Sequence, residues 1–152
     1  MVKPISGMVD NSDKDITKRF ALASGSIVMS KSAFKILMRE GSPKGNVWEA
    51  AKLAGVMAAK KTPELIPMCH PLELGKVSIT FDIDRVQNII QIKSEVAYEG
   101  KTGVEMEALI AVSVAALTIY DMMKWSDRTM VISEIKLLYK AGGKSGEYKR
   151  KI

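Results

Sequence analysis

Hydrophobic and polar positions along the chain divide it into seven regular segments. Lys76 to Asp84 (KVSITFDID) alternates apolar Val77, Ile79, Phe81 and Ile83 with polar Lys76, Ser78, Thr80 and Asp82. That period of two predicts a half-buried strand. Ile89 to Tyr98 (IIQIKSEVAY) continues as a second strand, with Gln87-Asn88 as a tight connection. Arg19 to Met29 and Met130 to Lys140 carry the small and β-branched residues of two more. Helices are predicted from Ser30 or Ser32 to Glu40, stopped by Gly41, and over Val47 to Lys61. Pro63, Pro67 and Pro71 force the LIPMCHPL stretch to be largely extended or looped. The first 18 or so residues read as irregular, and the tail from about 141 as flexible. The order βααββαβ in one domain over 1–152 predicts an α+β, ferredoxin-like fold, an antiparallel sheet with helices packed on one face. Such a fold hosts many activities and selects none.

The seventh segment, Thr102 to Lys124, is a helix with an unusual distribution of charge. Glu105 and Glu107 stand near its start, Asp121 and Lys124 at its end, and Ala108 to Tyr120 between them is apolar on nearly every face. A helix of that kind is expected to be buried all round. At 1.5 Å per residue its charged ends lie about 24 Å apart. One compact small-molecule site cannot readily use both ends of a single copy. Either the ends serve different purposes, or two chains meet head to tail.

Composition narrows the partner. The net charge of +6 and pI near 9.4 favour an anion, whether nucleic acid or a phosphorylated metabolite. The single Cys69 excludes an internal disulfide and fits a reducing cytoplasm. MVKPISGMVD lacks the apolar core of a signal peptide, and Ala108 to Tyr120 is shorter than the roughly 20 residues a bilayer demands. The expectation is a soluble cytoplasmic protein.

Several residues could carry chemistry, and each has a plain structural alternative. His70, the only histidine, suits proton transfer, but a loop imidazole often just bonds the backbone. Beside Cys69 it hints at a metal, yet no second Cys or His completes a structural zinc site. Thr102 and Glu105 have the spacing of a capping box, an explanation that outranks catalysis for Glu105. Glu107 lacks that explanation, and a carboxylate on a buried helix calls for a partner or ligand. Asp121 and Lys124, three apart, form an ion pair that is weak at a surface, but adjacency to the apolar run should shield it. Lys44, in a turn before a helix, is a candidate anion contact. KAGGKSG fails the spacing of a nucleotide-hydrolase loop. It remains credible as a basic phosphate clamp with Arg19, Lys144, Lys149 and Arg150.

Taken in order, MVDNSDKDITKR, SPKGNV, AGVMAAKKTPELIPMCHPL, GKTGVEMEALIAVSVAALTIYDMMK and GGKSG resemble the molybdenum cofactor biosynthesis protein C family over nearly the whole chain. Three departures stand out: the family more often has Asp at Asn46, Leu at Met68, and Cys at Met122 or Met123. The resemblance implies a cyclic pyranopterin monophosphate synthase, which rearranges a cyclised GTP (3′,8-cyclo-7,8-dihydro-GTP) and releases pyrophosphate. It implies no required cofactor, with magnesium an optional companion of the triphosphate. It places Asp121, Lys124, Lys44 and His70 at the reacting centre. Met68, Cys69, His70, Glu105, Met106, Glu107, Arg19, Lys140 and Lys144 would contact substrate. It also implies hexamers built as trimers of dimers, with sites at subunit boundaries. Combined with the helix length, the expected division is Lys44, His70 and Glu107 from one chain, and Asp121 and Lys124 from its neighbour. A nucleic-acid-binding domain and an inactive scaffold are the rivals. The first lacks the aromatic strand residues that stack bases, and the second does not account for the retained acid-base groups.

Overall fold

The structure, a computed structural model, describes residues 2–151. Its elements run β1 (Thr17–Val28), α1 (Lys31–Arg39), α2 (Val47–Lys60), α3 (Thr62–Leu65), β2 (Lys76–Asp84), β3 (Ile89–Gly100), α4 (Glu105–Met123), β4 (Val131–Ala141) and β5 (Tyr148–Lys149). The sheet is antiparallel throughout, in the order β2-β3-β1-β4-β5. The first four of these strands have the order of a ferredoxin-like α+β fold, and α2 and α4 lie side by side on the sheet. Two elements go beyond the sequence-based expectation. A single helical turn, α3, follows the helix expected to end at Lys61, with Pro63 in its first turn, where a missing N–H costs nothing, and the LIPMCHPL stretch beyond Leu65 is looped as expected. The tail expected to be flexible returns as β5, held by Lys149 opposite Tyr139 and by the Arg150 amide bonded to the Leu138 carbonyl at 2.9 Å.

Local signals set most element ends. Ser30 caps α1 by accepting from the Ala33 amide, and Asn46 caps α2 by accepting from the Glu49 amide. Gly41, at φ +76°, takes the left-handed position that closes α1. Asp127 fixes the start of α1 from a distance, accepting from the Ser30 amide at 2.9 Å. Those bonds, with Thr129 contributing most, hold its carboxyl at about 2.

The core lies between the sheet and the two long helices. Ile27, Ile90, Ile92 and Val96 from the sheet meet Ala108, Ala111, Val112, Ala115, Ala116 and Ile119 of α4. Each buried branched side chain contributes about 1.5–3 kcal/mol. The alanine-rich face lets α4 approach closely, and the buried Ser94 hydroxyl donates to the Ala108 carbonyl at 2.7 Å. Gly55 of α2 has the same effect: a Cβ there would run into Ile79 and crowd the Ala111 carbonyl.

By length and composition the 19-residue α4 is apolar enough to cross a bilayer, but it packs as a core helix on the sheet and α2. Sequence reading erred on one of its properties: it is not buried on all sides. Leu117 is 57% exposed, and on α2 Leu53 is 62% and Met57 48% exposed. An apolar outer surface therefore remains on the helical layer of this chain.

Candidate active site

The two charged ends of α4 organise two separate groups of residues. Glu107 and Asp121 are 14 residues apart, about 21 Å along the axis. Glu105 and Glu107 stand in the first turn, where the macrodipole favours acids, whereas Asp121 is a carboxylate in the last turn, where the macrodipole disfavours one.

At the C-terminal end Asp121 bridges two ammonium groups. Lys44 Nζ lies 2.9 Å from Oδ2, and Lys124 Nζ lies 2.9 Å from Oδ1. Hydrogen bonds from Lys44 first and Lys124 second hold the Asp121 carboxyl below its usual range, so it stays ionised. Lys44 therefore belongs with Asp121 and Lys124 of the same chain, not with His70 and Glu107 as expected. Its turn is tethered there. The Ser42 hydroxyl donates to the Met122 carbonyl at 2.6 Å and accepts from the Lys44 amide at 3.1 Å. The expected shielding of the ion pair is absent within this chain, since all three charged side chains are about half exposed.

At the N-terminal end the arrangement is more enclosed. Met68, Cys69, His70, Leu72, Thr102, Gly103, Glu105, Met106 and Glu107 line a cavity of about 120 Å³. His70 also borders a neighbouring cavity with Asn11, Tyr98 and Lys101. Glu107 is 3% exposed, and burial, with Glu105 adding to it, pushes its carboxyl up to about 7 despite a bond from its own amide. Such a group can give or take a proton near neutral pH. Burial and the two glutamates raise the Cys69 thiol, which is therefore not poised as a thiolate.

Glu105 does not form the expected capping box. The helix begins at Glu105 itself, and its cap, Val104, offers no side-chain bond. The Thr102 amide donates instead to Tyr98 Oη at 3.0 Å, and Glu105 takes Lys140 at 3.0 Å in the most shielded ion pair among the described residues.

A third cavity, about 340 Å³, is lined by Lys14, Asp15, Thr17, Arg19, Gly143, Lys144 and Ser145. Arg19 is only 9% exposed, and its Nε donates to the Gly100 carbonyl at 3.3 Å. Lys149 and Arg150 do not line this cavity, and Arg150 Nε instead donates to the Leu137 carbonyl at 2.7 Å. Sequence reading missed Ser42 and Thr17. A hydroxyl two residues before the candidate lysine was the available signal for the first. For the second, it was a threonine on the same strand face as Arg19.

The sequence matches the model of the MoaC family over residues 8–143. A protein of Parvibaculum lavamentivorans named cyclic pyranopterin monophosphate synthase is 48% identical over 98% of this chain and 93% of its own. Proteins of the same name from Desulforapulum autotrophicum and a Thermoanaerobacter species are 55% and 54% identical, covering 93% and 95% of this chain and 86% and 92% of theirs.

Proposed function

The chain belongs to the MoaC family, and from that premise we propose that it acts as a cyclic pyranopterin monophosphate synthase, a lyase of molybdenum cofactor biosynthesis. Its substrate on this reading is the cyclised GTP, and the products are cyclic pyranopterin monophosphate and pyrophosphate. The supporting observation is the separation of two complementary groups at opposite ends of α4. One end offers acid-base carboxyl and imidazole groups beside a basic, phosphate-sized cavity. The other offers a carboxylate between two ammonium ions.

A complete site then takes its parts from two copies. One supplies His70, Glu105, Glu107, Met68, Cys69, Met106, Arg19, Lys140 and Lys144; its neighbour supplies Lys44, Asp121 and Lys124. The exposed Leu53, Met57 and Leu117 support association of the helical layers, and a hexamer built as a trimer of dimers is the assembly we assign. The partner is a small molecule rather than nucleic acid or a membrane, and the setting is the cytoplasm.

Residue chemistry fits the reaction. Opening a purine ring and reclosing it as a pterin moves several protons, and Asp121, His70 and Glu107 supply exchangeable sites. Asp121 meets the substrate as a carboxylate and acts first as a base. Lys124 and Lys44 stabilise the negative charge that develops, and Arg19, Lys140 and Lys144 neutralise the phosphates. No redox cofactor enters this scheme. Magnesium, where it accompanies the triphosphate, would sit on phosphoryl oxygens, since among the described residues no three His, Cys, Asp or Glu side chains gather to hold it.

Mixing two inactive variants, Glu107→Ala and Asp121→Ala, tests the shared site. Some sites in a mixed oligomer draw both good halves from different chains, so pyrophosphate release and a fluorescent oxidised pterin should return. No recovery after confirmed subunit exchange refutes the division. If the wild-type oligomer makes neither product from cyclised GTP, the enzymatic assignment fails.

A further inference from the structure

We propose that Thr17 is a phosphate-binding residue, its hydroxyl donating to a phosphoryl oxygen of the bound nucleotide derivative in the cavity lined by Arg19. The proposal rests on the reading of that cavity as the one that holds the substrate's phosphates.

Three observations carry it. Thr17 Oγ1 is the only buried side-chain polar atom among the described residues that lacks a hydrogen-bond partner. Leaving such a group unpaired in a folded protein is costly, so it calls for an explanation. The second is its neighbour. Thr17 and Arg19 are two apart on β1 and share one face of the strand. Arg19 is nine-tenths buried yet forms no ion pair among the described residues. A buried guanidinium without a carboxylate is an incomplete arrangement.

The third is the Gly-rich turn laid over it. Gly142 and Gly143 have φ of +102° and +82°, and a Cβ on Gly143 would collide with the Arg19 guanidinium. This turn brings Lys144 and Ser145 to the cavity, and its missing side chains make room for the guanidinium packed beneath it. Lys14 adds a third cation to the lining, and Asp15 is its single carboxylate, so the lining carries a net positive charge.

These groups share one deficiency. Guanidinium and ammonium groups only donate, and the Thr17 hydroxyl has a proton with nowhere to go. The missing species is an acceptor with several oxygens, and an ionised phosphoryl chain satisfies a hydroxyl, a guanidinium and lysines together. In a cavity of about 340 Å³ there is room for more than one phosphoryl group.

The experiment uses the full-length oligomer with inorganic pyrophosphate and tripolyphosphate as probes, followed by calorimetry and thermal shift. Thr17→Val keeps the shape and removes the donor; Thr17→Ser keeps the donor. Thr17→Val should weaken both anions about tenfold and raise KM for cyclised GTP more than it lowers kcat. It should also melt at the same or a higher temperature without ligand, because an unpaired buried hydroxyl is gone. Thr17→Ser should bind like wild type, and Thr17→Ala repeats the contrast if valine crowds the strand. Unchanged anion affinity in Thr17→Val, with binding weakened in Arg19→Gln, overturns the role of Thr17 while leaving the cavity reading intact; water alone then fills the hydroxyl's need. Failure of wild type to bind either anion overturns both.

Discussion

Lys44 reaches across the fold to place its ammonium 2.9 Å from a carboxylate oxygen of Asp121, 77 positions later in the chain. Lys124 occupies the other oxygen at the same distance. The contact joins a turn before α2 to the last turn of α4, and Ser42 secures that turn to the same helix end. The three charged groups are exposed, so their arrangement adds little to stability. On the proposed function its value lies in chemistry.

Asp121→Asn should therefore separate activity from stability. The amide keeps the shape but cannot accept a proton, and loss of a positioned acid-base group typically costs 10²- to 10⁴-fold. We expect kcat for pyrophosphate release to fall by about 10³-fold, with a melting temperature within a degree or two of wild type. A large drop in melting temperature would show that the carboxylate is structural.

Ser42→Ala removes the tether without touching any charge. Each hydrogen bond it makes is worth about 0.5–1.5 kcal/mol, so a small loss of stability is expected. Displacing Lys44 should lower kcat about tenfold and leave KM nearly unchanged, because the proposed site holds the phosphates elsewhere. Steady-state kinetics over a range of substrate concentrations measures the split.

Glu107 makes stability depend on pH. Its carboxyl binds a proton more tightly in the folded chain, about 7 against 4.5, so its contribution is fully present below pH 4.5 and is lost as the pH rises through about 7. The shift corresponds to about 3 kcal/mol. Wild type should melt several degrees lower at pH 8 than at pH 5, whereas Glu107→Gln should show a much flatter profile across that window. Equal slopes for the two proteins would contradict the raised proton affinity.

Leu117→Glu tests the exposed helical layer. A surface charge on an isolated chain changes stability by about 0.5 kcal/mol or less. Buried between copies, it would carry a desolvation penalty large enough to separate them. Light scattering should report a smaller particle with an unchanged circular dichroism spectrum. An unaltered mass would remove Leu117 from any interface.

Much of this was legible in the pattern of residues, and the misreadings have identifiable causes. The alternation in β2 gave its bounds without error, because period two is a local property of the backbone. The stop of α1 at Gly41 was equally local, and of the two caps that the sequence left open, Ser30 and Ser32, the structure uses Ser30. The capping box failed because spacing cannot say whether Thr102 lies at the helix boundary, and Tyr98 and Lys140 captured its two members from other strands. Lys44 was assigned to the wrong end of α4 because no local signal records a contact across 77 residues. Arg19 was picked out by charge. Thr17 escaped notice because the strand was started two residues late, and an unpaired hydroxyl is visible only once its neighbours are placed.

The close seating of α4 against Gly55 and the sheet has a last consequence. The helix works as a gauge block. Inserting one residue in its middle would advance the far end by 1.5 Å and turn it by about 100°, swinging Asp121 away from Lys44 while the start stayed anchored by Ser94. A point change along the helix alters one contact, but an insertion or deletion within it displaces the whole far end, so its length should be the least variable dimension of the molecule.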